Sequence, residues 1–343
     1  MTLREQVGQL LWVGFDGVTV PTSLRARISR GEVGAAILFK CNIVTIEQLV
    51  ALTTELRAVG PDVLLTVDQE GGRVQRVRAP ATVWPPMIRV GEKAREVGRA
   101  IGTELAALGF DLNFAPILDV HTNPANPIIG DRAFGEAPET VIRFAGAFAE
   151  GLSESAILAC GKHFPGHGDT ALDSHLALPR VDHDLERLRR TELAPFFALR
   201  RLPVFMTAHV IFAALDDQRP ATLSPRVLTD LLRGELAYEG IILSDDMEMK
   251  AITDHFGIEQ AIEEGLLAGC DAFLLCHLED LQLRAFETLV RAAERSSKVR
   301  DRVAESSARV ASLKKRHFGV AKARPPLSSL GCEAHRNLAL SLA

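Results

Sequence analysis

Residues 161–175 read GKHFPGHGDTALDSH, fifteen positions that hold three histidines, a lysine and two aspartates among three glycines and a proline. No helix or strand stripe needs that mixture. The glycines and Pro165 favour turn geometry, so Lys162 and His163 close an apolar run (ILACGKHF, 157–164) and the remainder reads as loop. Two chemistries suit the loop. His163, His167, Asp169, Asp173 and His175 could each ligate a metal, although neither an HExxH arrangement nor a facing pair of cysteines accompanies them. The DSH triplet (173–175) suits proton transfer instead. Asp173 can fix the tautomer of His175 and raise its proton affinity, so that the imidazole donates a proton near neutral pH. The expectation is a metal-free site. A general acid needs a partner on the other face of the bond being cut, and GIILSDDMEMK (240–250) supplies one. Asp245 ends an apolar run and is the candidate nucleophile, whereas Asp246 is expected to serve as a helix cap and dipole partner.

Other apolar runs end in the same way. VDQEGGRVQR (67–76) leaves Asp68 at a strand end, where a carboxylate can accept hydrogen bonds from two adjacent hydroxyls, the commonest polar feature of a sugar. Its tandem glycines suit a tight turn that presents Arg73 and Arg76. NPIIGDRAFG (126–135) carries Asp131 and Arg132, either as a loop ion pair or as an arginine fork toward a ligand. GxGxxG is absent, so a dinucleotide site has no support.

These groups need a scaffold that brings strand ends together. Eight β-rich runs recur at 10–15, 34–39, 63–70, 112–120, 157–164, 203–210, 240–245 and 271–276, most of them continuously apolar, as strands covered on both faces are. Helical periodicity fills 45–59, 92–108, 137–151, 184–200, 224–236, 258–268 and 281–314. Ser224 and Pro225 open one of these helices. Val299, Val303, Val310 and Leu313 form a stripe in the last. Eight alternating units within 343 residues predict an α/β fold, a single-domain (β/α)8 TIM-type barrel over 1–320 with a tail of unassigned role at 321–343. Chemistry then belongs at the C-terminal ends of the strands, where Asp68, Asp119, Lys162, His163, His209 and Asp245 fall.

Bulk properties narrow the function. A hydrophobic fraction of 47% supplies a sizeable core, and a net charge of −5 without a long basic block argues against nucleic acid as partner. No apolar stretch approaches 18 residues, which excludes membrane insertion. The five cysteines lack disulfide or metal spacing and read as reduced thiols. A monomeric protein of the cytoplasm is expected.

The ordered motifs ILF near 37, VDQEGGRVQR, FAPILDV at 114, GDRAF at 130, KHFPGHGDTALDSH, MTAHV at 206 and SDDMEM at 244 make the chain similar to glycoside hydrolase family 3. It most resembles the bacterial β-N-acetylhexosaminidases that recycle peptidoglycan, over about residues 5–280. The resemblance implies a retaining exo-β-N-acetylglucosaminidase without a cofactor, acting on small carbohydrate or muropeptide substrates. Asp245 would be the nucleophile and His175 the acid/base oriented by Asp173. Asp68, Arg76, Arg132, Lys162 and His163 would hold N-acetylglucosamine. It also implies a loop that closes over the sugar, and a neutral acid/base beside which phosphate can replace water as acceptor. The chain departs from the pattern in the MEM that follows Asp245 and in having no second α/β domain within its 343 residues. Competing readings are a β-glucosidase or β-xylosidase of the same family, and a metal-dependent hydrolase using the 163–175 cluster.

Overall fold

The eight apolar runs become eight parallel strands: β1 (Leu11–Val13), β2 (Ala35–Leu38), β3 (Leu64–Val67), β4 (Leu112–Asn113), β5 (Leu158–Phe164), β6 (Val204–Thr207), β7 (Ile241–Asp246) and β8 (Ala272–Leu275). They close into a barrel in which β1 pairs with both β2 and β8. The chain is therefore a (β/α)8 TIM barrel. The computed structural model describes residues 1–170, 178–320 and 323–343. Asp173 and His175 lie outside the described residues.

The strands look uniformly apolar because both of their faces are buried, yet a period of two is present in the packing. Ala35 and Ile37, Val204 and Met206, Ile241 and Leu243, and Ala272 and Leu274 point inward with Trp12, Leu64, Leu112 and Phe114. The intervening Ala36, Leu38, Leu65, Val67, Ile242, Phe273 and Leu275 pack against the surrounding helices. The interior is thus filled by side chains, and only its polar end is open for chemistry.

Helices Ala94–Leu108 and Pro138–Glu154 approach closely enough that a Cβ at Gly98 would lie 2.2 Å from the Phe148 carbonyl oxygen. Two expected helices are each divided. The segment 184–200 forms Leu185–Arg190 and Ala194–Ala198, with Pro195 in the first turn of the second. The segment 281–314 forms Glu279–Arg295 and Ser297–Phe318, because Ser296 is extended and its side chain caps Val299 N–H. The stripe Val299, Val303, Val310 and Leu313 is buried, and Ser224 Oγ accepts from Val227 N–H at 3.3 Å ahead of the π-helical segment Arg226–Glu235. Helices Leu3–Leu10 and Thr22–Ser29 escaped the periodicity reading. The segment after residue 322 packs on the barrel through a turn at Leu327–Ser329 and a helix at Glu333–Leu340, both against Ala94–Leu108.

The two barrel ends differ in kind. At the strand N-termini, Asp271 accepts from Ile242 N–H at 3.0 Å and pairs with Arg233, Arg302 and Arg309. Asp111 accepts from Leu65 N–H at 2.7 Å and pairs with Arg57 and His317. These carboxylates staple neighbouring elements. A cavity of about 830 Å³ opens beside Arg57, Asp111 and His317, whose polar groups already hold one another.

Candidate active site

At the strand C-termini a pocket of about 350 Å³ is lined by Asp68, Glu70, Arg76, Arg132, Lys162, His163, His167, Asp245 and Asp246, with Phe39, Phe114 and Met206 among its apolar walls. All six described residues expected to hold the nucleophile or the ligand come together here.

Two bulges explain how neighbouring residues both reach the pocket. Between β5 and β6 the register slips, with Lys162 opposite Met206 but Phe164 opposite Thr207. Between β7 and β8, Leu243 faces Ala272 while Asp246 faces Leu274. A regular strand sends consecutive side chains to opposite faces; an extra residue re-aims them. Lys162 with His163, and Asp245 with Asp246, are the pairs so placed.

The ligand side of the pocket is a network of opposite charges. Lys162 Nζ donates to Asp68 Oδ1 at 2.7 Å and pairs with Glu70 Oε1 at 2.7 Å. Arg76 donates to Asp68 Oδ2 at 3.1 Å. Arg132 forks onto Glu70, both N–H···O contacts being 2.9 Å. Burial pushes the Glu70 carboxyl up, but Arg132 and Lys162 outweigh it and hold the pKa at about 2. The same competition leaves Asp68 low, because the attraction of Lys162 and Arg76 exceeds the burial penalty. Lys162 is raised, since Asp68 and Glu70 overcome its own burial. Asp68, Glu70 and Lys162 are therefore all charged near neutral pH. The ion pair expected as one reading of Arg132 and Asp131 does not form: Arg132 forks onto Glu70 at the pocket wall, while Asp131 lies 3.6 Å from Arg73.

Asp119, at the end of the run after β4, is fully buried and organises the histidines. It accepts from His163 N–H at 3.1 Å and His167 N–H at 2.6 Å, and its other oxygen lies 2.7 Å from His163 Nδ1. The contact to Asp119 fixes the orientation of the His163 ring at the pocket wall. Burial and the neighbouring His163 lower His167 to about 4, so it is neutral at pH 7. His209 does not line the pocket. Its ring nitrogens lie 2.8 Å from Thr222 Oγ1 and 3.0 Å from the Asp246 carbonyl oxygen, and it braces the end of β7.

Asp245 Oδ1 accepts from Asp246 N–H at 2.8 Å. The Asp246 side chain accepts from Glu248 N–H at 3.1 Å and from Cys276 N–H at 3.3 Å. It is not the expected helix cap, because the next helix, Lys250–Thr253, starts from Met249 without a side-chain cap and the Asp246 bond closes a turn ahead of it. Asp246 is also a pocket residue, with a carboxyl that burial and the nearby Glu248 push up to about 7. Sequence reasoning assigned no role to Glu70 or a pocket position to Asp246, although both lie in motifs it singled out.

Of the groups considered as metal ligands, Asp169 meets His183 and Glu192. The Arg187 guanidinium stands among them, 3.2 Å from Asp169 and 3.6 Å from Glu192, and supplies the positive charge. Asp169, His183 and Arg187 form an ion-pair cluster, beside which burial raises the Glu192 carboxyl, whose oxygens have no hydrogen-bond partner.

A parallel barrel with paired charges and carboxylates at its strand C-termini defines a TIM-barrel enzyme. The chain belongs to glycoside hydrolase family 3: the model of the Glycosyl hydrolase family 3 N terminal domain matches residues 2–313. Within the family it falls in the bacterial β-hexosaminidase branch. It is 36% identical to Beta-hexosaminidase A of Pseudoalteromonas piscicida over 95% of this chain, and spans 60% of that relative's length. It is 40% identical to a Beta-hexosaminidase of Pseudomonas aeruginosa over 78% of this chain and 82% of the relative. The structure of a family 3 β-N-acetylglucosaminidase from Paenibacillus sp. superposes with a TM-score of 0.94 at 38% identity, covering 100% of this chain and 68% of the other.

Proposed function

We propose that the protein is a retaining exo-β-N-acetylglucosaminidase that removes terminal β-linked N-acetylglucosamine. The observation that carries this reading is the placing of Asp245 in one small pocket with the Asp68–Lys162–Glu70–Arg132 network. About 350 Å³ lies at the low end of small-ligand sites, roughly 300–1,000 Å³, which suits one sugar unit and therefore exo action. Asp68 offers carboxylate oxygens to hydroxyls. Arg76, which meets Asp68 at 3.1 Å, lines the same pocket and keeps a buried Nε without a hydrogen-bond partner.

Asp245 attacks the anomeric carbon as the leaving oxygen takes a proton from His175, and a covalent glycosyl-enzyme forms. His175 then deprotonates water, which attacks the same carbon, so two displacements retain configuration. Asp173 orients His175. The identity of the β-hexosaminidase relatives supports the N-acetyl sugar over glucose or xylose. Peptidoglycan fragments are the proposed natural substrates, acted on by a monomer in the cytoplasm, with the barrel at 1–320 as the catalytic domain. Among the described residues no helix is long and apolar enough to cross a membrane.

A panel of aryl glycosides tests the proposal, with N-acetylglucosaminide beside glucoside and xyloside, each assayed with and without chelator. The N-acetylglucosaminide should turn over fastest and chelation should leave the rate unchanged. Faster glucoside turnover would overturn the specificity. Loss of activity on chelation, restored by zinc or manganese, would overturn the mechanism.

A further inference from the structure

The C-terminal segment is joined to the pocket by two sets of hydrogen bonds linked through the short run of chain 82–84. Glu104, on helix Ala94–Leu108, is the junction. From the tail, Gly331 N–H donates to its Oε1 at 3.0 Å, and His335 Nδ1 lies 2.9 Å from the same oxygen. From the loop before residue 87, Thr82 donates its N–H at 3.0 Å and its hydroxyl at 2.6 Å. Burial pushes the Glu104 carboxyl up, but these donors outweigh it and leave it lowered, so it is an anion at neutral pH. Gly331 has a φ of +54°, and a Cβ there would meet the Pro80 carbonyl oxygen at 2.0 Å. The tail therefore seats directly on the loop.

That loop in turn holds the arginine hairpin. Gln75 accepts from Trp84 N–H at 3.0 Å and donates to Trp84 O at 2.9 Å. Gly72 N–H also donates to Trp84 O, at 3.0 Å. The paired strands Gln69–Gly71 and Val74–Gln75 so anchored carry Glu70, and Arg76 follows immediately. Glu70 and Arg76 are the groups that set Arg132, Lys162 and Asp68 around the pocket.

We propose that the segment 327–340 is the outer support of this hairpin, with Glu104 and His335 as positioning residues for ligand recognition. The inference rests on the proposed function only in taking the ligand to be a sugar. Neither residue touches the pocket. Loosening the hairpin weakens sugar binding and spares Asp245, which is carried by β7 on another part of the barrel.

Two variants of the full chain probe it: His335→Ala removes the donor, and Gly331→Ala unseats the tail. Each should raise KM for an aryl N-acetylglucosaminide about 5-fold, the factor that the ~1 kcal/mol of one hydrogen bond represents, with kcat little changed. His335→Asn, which keeps a donor near the Nδ1 position, should restore KM. In an Arg76→Ala background, His335→Ala should add nothing further. Hydrogen exchange should quicken across 69–77 and stay unchanged in Ile241–Asp246. Unchanged KM in both variants, a full additional KM effect without Arg76, or exchange that rises throughout the barrel would each overturn the proposal. Should the wild-type protein leave the aryl substrate untouched, the functional reading fails by itself. Exchange in 69–77 then decides the tail's role, and no change there refutes it.

Discussion

Glu70→Gln isolates the charge network of the pocket from its shape. The amide is isosteric, but it replaces an anion that neutralises Arg132 and Lys162, with an exposure of only 1%. Its carboxyl falls from the usual 4.5 to about 2 in the folded protein. That difference corresponds to roughly 3 kcal/mol at about 1.36 kcal/mol per pKa unit. The figure agrees in order with the ~3–5 kcal/mol typical of removing one partner from a buried pair. At ~2.1 cal/mol/K of unfolding entropy per residue, 1 kcal/mol shifts the midpoint of a 343-residue chain by about 1.4 °C, so the variant should melt about 4 °C lower. The sign with pH follows from a depressed folded pKa. The stabilisation is complete above about 4.5, and is lost as pH falls toward about 2. The gap between thermal melts of the two proteins should therefore narrow from pH 7 to pH 3, to about half its neutral size or less. With Arg132 and Lys162 less firmly held, KM for the N-acetylglucosaminide should also rise about tenfold, ~1.4 kcal/mol of lost binding. A variant that melts with the wild type at pH 7, or a gap that widens as pH falls, would refute the reasoning.

Asp245→Asn should abolish turnover even with excellent leaving groups, because an amide is a poor nucleophile; more than about a tenth of wild-type turnover would move that role, first to Asp246. His175→Ala should slow a disaccharide by roughly 100- to 10,000-fold while sparing the first step on activated aryl substrates, giving a burst and azide rescue, and Asp173→Asn should be milder. An unchanged disaccharide-to-aryl rate ratio, with neither burst nor rescue, would return the loop to a binding or metal role. Asp246 has a raised carboxyl, about 7 against the usual 3.8, so the folded state loses stability as pH climbs through that interval. Asp246→Asn should flatten that decline in a melting-temperature series from pH 4 to pH 8, and an unaltered slope would contradict it.

The barrel was legible because its signal is repeated and because burial on both faces writes a plain apolar run. Trp12 and Leu65 both read as apolar, although one points into the barrel and the other toward the helices. Periodicity failed where local capping overrides it. Ser296 and Pro195 each divide what the apolar stripe makes continuous. The short helix Thr22–Ser29 went unseen for the converse reason. Its first turn lacks a side-chain cap, and it buries only Leu24, Arg27 and Ile28.

The site was legible as a set of strand ends, but not as a network. Position in sequence placed Asp68, Lys162 and Asp245 at the open face, since each follows an apolar run. It could not pair them, because partners such as Lys162 and Asp68 are brought together only by barrel closure. Alternation also gives the wrong face for half of each doublet. By a strict period of two, only one of Lys162 and His163, and one of Asp245 and Asp246, should face the pocket. The two register slips between β5 and β6 and between β7 and β8 bring in both. Glu70 illustrates the same limit. In VDQEGG it reads as a hairpin residue beside two glycines, and only the structure shows it clamped between Arg132 and Lys162. The arginine that sequence reasoning offers to the ligand is therefore held by a carboxylate first. The fork is thus held rigid at the pocket wall, and Glu70→Gln measures that rigidity directly.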